Sequence, residues 1–246
     1  MEQNQAATSF GTNVGAYERG RPDYDRDHVA WMLAGVDGPV LDLGAGSGKL
    51  SRAITALGFE VIAVDPDEQM LDSNQSSQRL VGSAEAIPLP DAQVAAVAVG
   101  QAWHWFDPAT AGPEIARVLR PGGRLGLIWN TRDTRDPFVA DLAAIIGPSP
   151  AEQMVDQDWL VDLPGFTPFE RDQRSRQRTM TAAEIEAMVT SRSGYILAEP
   201  QRQAEVLADV RRLLASHPHS RGQDSFSYAL HSTAYRANLD QAVDLL

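Results

Sequence analysis

Three glycines at alternate positions carry the most specific chemistry in this sequence. Gly44, Gly46 and Gly48 follow a short apolar run that contains Asp42, and they precede a helical pattern that begins at Leu50. Because glycine has no Cβ, such a turn can adopt positive φ and bring its backbone N–H groups close to a ligand at the helix N-terminus. The strand, the glycine turn and the helix together predict a nucleotide-binding elbow.

The spacing of the turn, and the acids near it, bear on which nucleotide it holds. A dinucleotide fingerprint has its third glycine where this chain has Lys49, whereas here that glycine is Gly48. The carboxylate of Asp42 would repel a pyrophosphate and attract a ligand with a cationic amino-acid end. A second apolar run, residues 61–64, ends in Asp65, which is placed to accept hydrogen bonds from both ribose hydroxyls. An NAD-dependent oxidoreductase is therefore the weaker alternative.

A histidine between two tryptophans is the candidate for acid-base chemistry. Trp103, His104 and Trp105 follow a further apolar run, residues 92–99. In an open parallel sheet the ligand crevice lies outside the carboxyl ends of the strands where the winding reverses, so these side chains are expected to face the reacting group. Imidazole can accept a substrate proton, and aromatic faces favour a cation. The alternative is that the tryptophans pack a helix onto the sheet and His104 hydrogen-bonds the backbone.

A parallel sheet is needed to position these residues. Apolar runs at 40–43, 61–64 and 92–99, interrupted only by Asp42 and Gln93, are typical of strands buried on both faces. The pattern also predicts strands near 79–81 and 124–129, helices at 28–33, 50–57, 66–71 and 113–119, and a tight turn at 120–123. His28 lies on an apolar helical stripe and is predicted to be structural.

Several short motifs then occur in order along residues 14 to about 131. They are Asp42-x-Gly44-x-Gly46-x-Gly48, Asp65-Pro66 with Met70-Leu71, Gly82-Ser83-Ala84-Glu85 with Pro88-Leu89-Pro90-Asp91, Gln101-Ala102-Trp103-His104-Trp105-Phe106, and Val118-Leu119-Arg120-Pro121-Gly122-Gly123. Together they resemble the class I S-adenosylmethionine-dependent methyltransferases. The similarity is greatest to the small-molecule branch that includes ubiquinone-biosynthesis-type and trans-aconitate-type enzymes.

The resemblance implies S-adenosylmethionine as cofactor, S-adenosylhomocysteine as product and direct displacement onto a small molecule. O-methylation of a carboxylate or hydroxyl is favoured, C- or N-methylation is possible, and a cofactor-binding protein without catalysis is an alternative. The implied cofactor-binding residues are Asp42, Gly44, Ala45, Gly46, Gly48, Asp65, Pro66, Met70, Ser83, Ala84, Glu85, Gln101 and Ala102, with Tyr17 and Arg21 in a lid. Family members often carry an acid at the position of Ser83, so the adenine contact falls to Ser83 or to Glu85.

The resemblance also implies an α/β fold with a Rossmann-like seven-stranded sheet in the order 3-2-1-4-5-7-6, with strand 7 antiparallel and helices on both faces. We expect a flexible segment at 1–13, one domain at 14–246, and a small helical cap at 181–216 inserted between the last two strands. His104 would be the catalytic residue, and Trp103, Trp105 and Tyr195 would line the substrate pocket. Arg21 could pair with the cofactor carboxylate or with an acidic substrate.

The remaining chain gives further local expectations. The pattern predicts a helix at 136–146, a connection at 147–164 anchored by Trp159 and Leu160, a strand at 166–180, helices at 181–189 and 200–216, and a last strand at 225–237. Arg174, Arg176 and Arg178 alternate along the predicted strand. This stripe could bind an acidic substrate, but the polar residues between the arginines favour a solvated edge strand.

Composition restricts the partners. With 246 residues, 43% of them hydrophobic, the chain can bury an ample core. A net charge of −12 disfavours nucleic acid and anionic membrane, because both would meet a repulsive field. No cysteine is present, so disulfides and thiolate chemistry are excluded. We therefore expect a cytoplasmic monomer or homodimer that acts on a small molecule and has no catalytic metal.

Overall fold

The structure, a computed structural model, describes residues 14–156 and 163–240. These residues contain a seven-stranded mixed sheet. The strands in chain order are β1 (Val40–Leu43), β2 (Val61–Asp65), β3 (Gln78–Val81), β4 (Val94–Gly100), β5 (Leu119–Arg132), β6 (Glu170–Met180) and β7 (Phe226–Asn238). They lie in the order β3-β2-β1-β4-β5-β7-β6, with β7 antiparallel. The predicted Rossmann-like topology is confirmed.

Burial explains why the apolar runs form the centre of this sheet. Every residue of β1 and β2 is buried, as expected for parallel strands covered on both faces. Val40 pairs with Val61 and Leu43 with Val64, so β1 and β2 end at the same edge of the sheet. β4 runs parallel to β1 on its other side. This register brings the residues that follow the three strands to one edge.

Helices connect the strands. They are α1 (Val14–Gly20), α2 (Arg26–Met32), α3 (Lys49–Thr55), α4 (Glu68–Asp72), α5 (Pro108–Val118), α6 (Pro137–Ile146), α7 (Pro150–Asp156), α8 (Ala182–Thr190), α9 (Ser193–Ile196) and α10 (Pro200–Ser216), with a 3-10 turn at Trp103–Trp105. α8 begins with a capping box: the Thr181 side chain accepts from the Glu184 N–H, and the Glu184 carboxylate accepts from the Thr181 N–H.

The described chain divides into two compact units. One, which we call the Rossmann-like unit, takes the described residues of Asp23–Trp129, Asp158–Gln173 and Ser232–Leu246. The other, the helical unit, takes those of Met1–Pro22, Asn130–Gln157 and Arg174–His231. The single domain with a cap at 181–216 stays a prediction, and the predicted flexible segment at 1–13 lies outside the described residues.

The Rossmann-like unit has its core around α2, α3 and the central strands. Its buried apolar residues include Val29, Met32, Val40, Leu50, Ile54, Val61, Ala96 and Ile128. His28 is fully buried beside this core, with Nδ1 2.9 Å from Ser232 Oγ and Nε2 3.2 Å from the carbonyl oxygen of Asp172. These contacts agree with the predicted structural role of His28.

The helical unit is built on a close approach of α1 to α8. A Cβ on Gly20 would lie 2.2 Å from the backbone nitrogen of Met188, so only glycine fits there. The Arg178 guanidinium holds the end of α1 by donating to the carbonyl oxygens of Gly20, at 3.0 Å, and Arg19, at 2.8 Å. The core of this unit includes Phe138, Leu142, Ile185, Met188, Val210, Phe226 and Leu230.

Some predicted boundaries of helices and turns are wrong. The helix predicted to begin at 113 begins at Pro108, because the Asp107 side chain caps it by accepting from the Ala109 N–H. The tight turn predicted at 120–123 lies inside β5 as an irregularity: Leu119 pairs with Val94 and Arg124 with Ala96, which leaves four residues unpaired between them. Gly122 has a φ of 72° there.

The segment after β5 also differs from expectation. The predicted connection at 147–164 contains the helix α7, while Trp159 and Leu160 lie outside the described residues. β6 is an edge strand, as predicted. It starts at Glu170 and not at 166, and the arginines at alternate positions are half-buried whereas the residues between them are exposed. The solvated face of β6 is therefore the face without the arginines.

Candidate functional site

The glycine elbow follows β1 in the Rossmann-like unit with the predicted backbone geometry. Gly44, Gly46 and Gly48 have φ values of 72°, 49° and 87°, which side chains with a Cβ rarely adopt. The N–H groups of Gly44 and Ala45 both donate to the carbonyl oxygen of Val64, at 2.8 and 3.0 Å. The elbow is thus fastened to the end of β2 by its own backbone.

Neighbouring side chains approach the elbow closely. A Cβ on Gly44 would lie 2.5 Å from the Cβ of Ala102, and one on Gly48 would lie 2.8 Å from the side chain of Asn74. A Cβ on Gly46 would lie 3.2 Å from the terminal carbon of Met70, which is itself buried. A Cβ therefore does not fit at Gly44 or Gly48, whereas at Gly46 it would press only on the end of the Met70 side chain.

Asp42 is fully buried under the elbow. Its Oδ2 accepts a hydrogen bond from Ser51 Oγ at 2.6 Å, and its Oδ1 has no hydrogen-bond partner among the described residues. Burial raises the pKa of Asp42 to about 7, although the Ser51 hydrogen bond opposes that rise. Its predicted role in cofactor binding stays a prediction.

Asp65 lies at the end of β2, next to the elbow. Its Oδ2 accepts from the Gly46 N–H and its Oδ1 from the Asp67 N–H, each at 2.8 Å. Burial raises the pKa of Asp65 to about 6, against the effect of these two hydrogen bonds. Each carboxylate oxygen has a second lone pair, so the oriented carboxylate can accept two further hydrogen bonds from a diol. This geometry suits the predicted ribose contact.

Asn74 supports the elbow and was not found by sequence reasoning. Its Nδ2 lies 3.3 Å from both the carbonyl oxygen of Gly46 and Ser51 Oγ, and its Oδ1 accepts from the Ser76 N–H at 3.0 Å. It is buried, although it stands in a polar stretch of sequence. Nothing in the sequence distinguishes it from an exposed loop residue.

The residues after β3 lie in a short turn. Ser83 pairs with Ala86 in an isolated bridge, and Ala84 is buried. Glu85 has a structural partner: its Oε1 accepts from the Asp107 N–H at 3.0 Å, just before α5 begins. An adenine contact by Ser83 or Glu85 stays a prediction, and so does the contact by Pro66.

The aromatic segment follows β4. Gln101 has a φ of 57° and donates its N–H to the carbonyl oxygen of Ile128, which turns the chain into the 3-10 helix. Trp103 is buried with its ring 5.7 Å from that of Phe106, whereas the rings of His104 and Trp105 lie 4.6 Å apart and are half-buried. Trp103 thus packs the turn, and His104 and Trp105 reach the surface of this unit together.

Three predicted site residues belong to the helical unit. Arg21 donates to Ser191 Oγ at 3.1 Å and to the Ser191 carbonyl oxygen at 3.0 Å, and its guanidinium lies 5.6 Å from the ring centre of Tyr17. Tyr195 is partly buried against the core of the helical unit. The roles of Tyr17, Arg21 and Tyr195 in cofactor or substrate binding stay predictions.

The described residues form neither a metal-binding cluster nor a membrane-crossing helix. No cluster of three or more His, Asp and Glu side chains could hold a metal ion there. Within residues 14–156 and 163–240, no helix has both the length and the apolar character to cross a membrane.

Known proteins match this chain along most of its length. A family model for a methyltransferase domain matches residues 41–127. An uncharacterized methyltransferase of Mycobacterium tuberculosis is 45% identical over 236 residues, which are 94% of this chain and 96% of that protein. A malonyl-[acyl-carrier protein] O-methyltransferase of Methylococcus capsulatus is 36% identical over 140 residues, 50% of each chain.

Solved structures have the same fold. That of a proposed type II methyltransferase from Anaeromyxobacter dehalogenans aligns with a TM-score of 0.65 at 25% identity, over 88% of this chain and 97% of the other. The sheet order, the glycine elbow and these matches all indicate the same family. The chain belongs to the class I S-adenosylmethionine-dependent methyltransferases.

Proposed function

We propose that this protein moves a methyl group from S-adenosylmethionine to a small-molecule acceptor, with O-methylation of a carboxylate or hydroxyl favoured. The observation that carries the proposal is the oriented carboxylate of Asp65 beside the glycine elbow, held by the Gly46 and Asp67 N–H groups. A nucleoside site needs a carboxylate that accepts hydrogen bonds from the ribose diol, and it needs a neighbouring turn without side chains. The Rossmann-like unit supplies the carboxylate and the turn.

The residues present fit this cofactor. A Cβ on Gly46 would meet Met70 and fill the space above the turn, so the glycine keeps a cradle open. Asp42 lies beneath the elbow with a pKa raised to about 7, so the cationic end of the cofactor would favour its ionised form. Asp65 would hold the ribose, and Met70 would pack on the adenine. When bound, S-adenosylmethionine supplies an electrophilic methyl group.

The chain's own residues then have to orient the acceptor and exclude water. Trp103 and Trp105 would form an apolar wall, and His104 would take the proton of a hydroxyl acceptor. A carboxylate acceptor is already ionised at neutral pH and needs no base. The relative from Methylococcus capsulatus supports an O-methyltransferase assignment, because its name specifies O-methylation of malonyl-[acyl-carrier protein] and a malonyl group carries a carboxylate.

Isothermal titration calorimetry tests the cofactor assignment. We expect S-adenosylmethionine and S-adenosylhomocysteine to bind and NAD⁺ not to bind. Binding of NAD⁺ alone would favour the oxidoreductase alternative. A screen with a labelled methyl donor against small acids, phenols and quinone precursors tests catalysis. Cofactor binding without methyl transfer to any acceptor class would support a non-catalytic protein.

A further inference from the structure

A buried cluster of charged side chains lies within the helical unit. The carboxylate of Glu152 joins two arginines: Oε1 accepts a hydrogen bond from Arg132 Nε at 2.6 Å, and Oε2 accepts one from Arg192 Nη2 at 3.2 Å. The exposed fraction of the side chain is 7% for Arg132, 10% for Arg192 and 13% for Glu152. Two guanidinium groups therefore share one carboxylate largely out of contact with water.

The cluster carries more positive than negative charge. Burial raises the pKa of Glu152, but the hydrogen bond from Arg132 and the charge of Arg192 outweigh it and hold that pKa at about 2. Glu152 is thus ionised at neutral pH, and one anion faces two cations. Burial lowers the pKa of Arg192 to about 10, and the charges of Arg21 and Arg132 act in the same direction. Buried charge of one sign is costly unless an opposite charge offsets it.

One donor in the cluster has no acceptor. Arg132 Nη2 donates to the Gly147 carbonyl oxygen at 2.7 Å, and Nε donates to Glu152. Nη1 of Arg132 is buried and has no hydrogen-bond partner among the described residues. Buried polar groups are nearly always paired, so this donor indicates an acceptor that the described residues do not supply. The planar donor fork of arginine matches the two oxygens of a carboxylate.

Tyr228 adds an uncharged hydrogen-bond donor to the buried cluster of charged side chains. Tyr228 is buried, and its electrostatic neighbours are Arg132, Arg192, Glu152 and Arg21. Burial raises the pKa of Tyr228 to about 12 even though the arginine charges oppose that rise, so the phenol keeps its proton. A protonated phenol can donate to an anionic oxygen.

We propose that Arg132 and Arg192, with Arg21 and Tyr228 beside them, bind the carboxylate of a small organic acid within the helical unit. A carboxylate supplies the negative charge and the acceptor oxygens that the cluster lacks, while Glu152 keeps the two guanidinium groups oriented. The cofactor also has a carboxylate, and the experiment distinguishes the two sources.

Calorimetric titration with malonate measures the site, and malonamide is the neutral control ligand. We expect malonate to bind and malonamide not to bind. Arg192→Gln should weaken malonate binding at least tenfold, because a charge-assisted contact is lost, and should leave S-adenosylhomocysteine affinity within twofold. Arg135→Gln is the matched control: it removes the same charge in the same unit from a side chain that is 73% exposed. It should keep malonate affinity within twofold.

A second variant tests the proposal if Arg192→Gln does not fold. If circular dichroism shows Arg192→Gln to be unfolded, Arg192→Lys replaces it, since lysine keeps the charge but loses the planar fork. For Arg192→Lys we expect a loss of malonate affinity of about threefold or more, which is consistent with the weaker match of an ammonium group to two oxygens.

The outcomes separate this site from the proposed function. Equal malonate affinity in the Arg192 and Arg135 variants overturns the carboxylate site, and so does a wild-type protein that binds S-adenosylhomocysteine but not malonate. Parallel loss of malonate and S-adenosylhomocysteine affinity in Arg192→Gln assigns the carboxylate to the cofactor and also overturns it. Malonate binding without any cofactor binding overturns the proposed function and supports this site.

Discussion

Asp65 Oδ2 accepts a hydrogen bond from the Gly46 N–H at 2.8 Å, which ties the end of one strand to the middle of the turn that follows the neighbouring strand. The same carboxylate accepts from the Asp67 N–H through its other oxygen. Its orientation is therefore fixed before any ligand arrives. A preoriented acceptor loses little entropy on binding a diol, which is the physical basis of its proposed role.

Asp65→Ala should weaken S-adenosylhomocysteine binding about ten- to a hundredfold, because hydrogen bonds to a charged group are lost. The measurement is calorimetric titration of the folded variant. Asp91→Ala is the control, since Asp91 is an acid in the same unit whose side chain is 77% exposed. Unchanged affinity in a folded Asp65→Ala variant would remove this carboxylate from the site.

Gly46→Val should also abolish most cofactor binding, because a side chain there occupies the space beside Met70. The matched control is Gly58→Val: Gly58 has a φ of 95°, and a Cβ there would meet nothing within 4 Å. Both variants bear the backbone strain of positive φ, about 1–2 kcal/mol. Thermal denaturation should therefore show similar losses of stability, while S-adenosylhomocysteine affinity should fall only in Gly46→Val. Equal affinity in the two variants would show that the elbow does not hold the cofactor.

The sheet could be predicted from the sequence because its central strands are buried on both faces. A continuous apolar run that leads to an acid, such as Val61–Asp65, is stable mainly as a strand that is buried on both faces. The acid that ends the run and the alternating glycines are local signals as well. A reader of the sequence can therefore locate the elbow and Asp65 without knowing any contact.

Contacts between distant segments could not be predicted in this way. Asn74 holds Gly46 and Ser51, which lie 28 and 23 residues away, and its own neighbours in sequence are polar. The arginine cluster is similar: Arg132 ends β5, and Glu152 lies in a helix that the sequence pattern did not indicate. Such pairs are determined by how the elements pack, and a single sequence carries no periodic signal for them.

Asp42 should make the stability of the protein fall as pH rises. Burial raises its pKa from 3.8 to about 7, so the folded state holds a proton that the unfolded state releases over that range. The stabilisation is complete below pH 4 and is lost as pH rises through about 7, by at most about 4 kcal/mol. Urea denaturation between pH 4 and 8 should show a decline that Asp42→Asn reduces. Parallel curves for the two proteins would contradict the raised pKa.

His104→Ala should distinguish acceptor classes. With a hydroxyl acceptor we expect turnover to fall about a hundredfold, because a general base contributes on that order. With a carboxylate acceptor the change should be small, since that oxygen carries no proton at neutral pH. S-adenosylhomocysteine affinity of the same sample is the control for folding of the site. Undiminished turnover on a hydroxyl acceptor would assign His104 a structural role.

Substitution of alanine for each of two glycines in α1 should change the stability of the protein in opposite directions. Gly20→Ala places a Cβ 2.2 Å from the backbone nitrogen of Met188, and since backbone cannot move aside as a side chain can, we expect a loss of about 2–3 kcal/mol or more. Gly15→Ala meets only the end of the Arg19 side chain at 3.4 Å, so the better helix propensity of alanine should stabilise the protein by about 0.5–1 kcal/mol. Denaturant titration of both variants measures the difference. Unchanged or increased stability of Gly20→Ala would show that α1 and α8 do not pack at this distance.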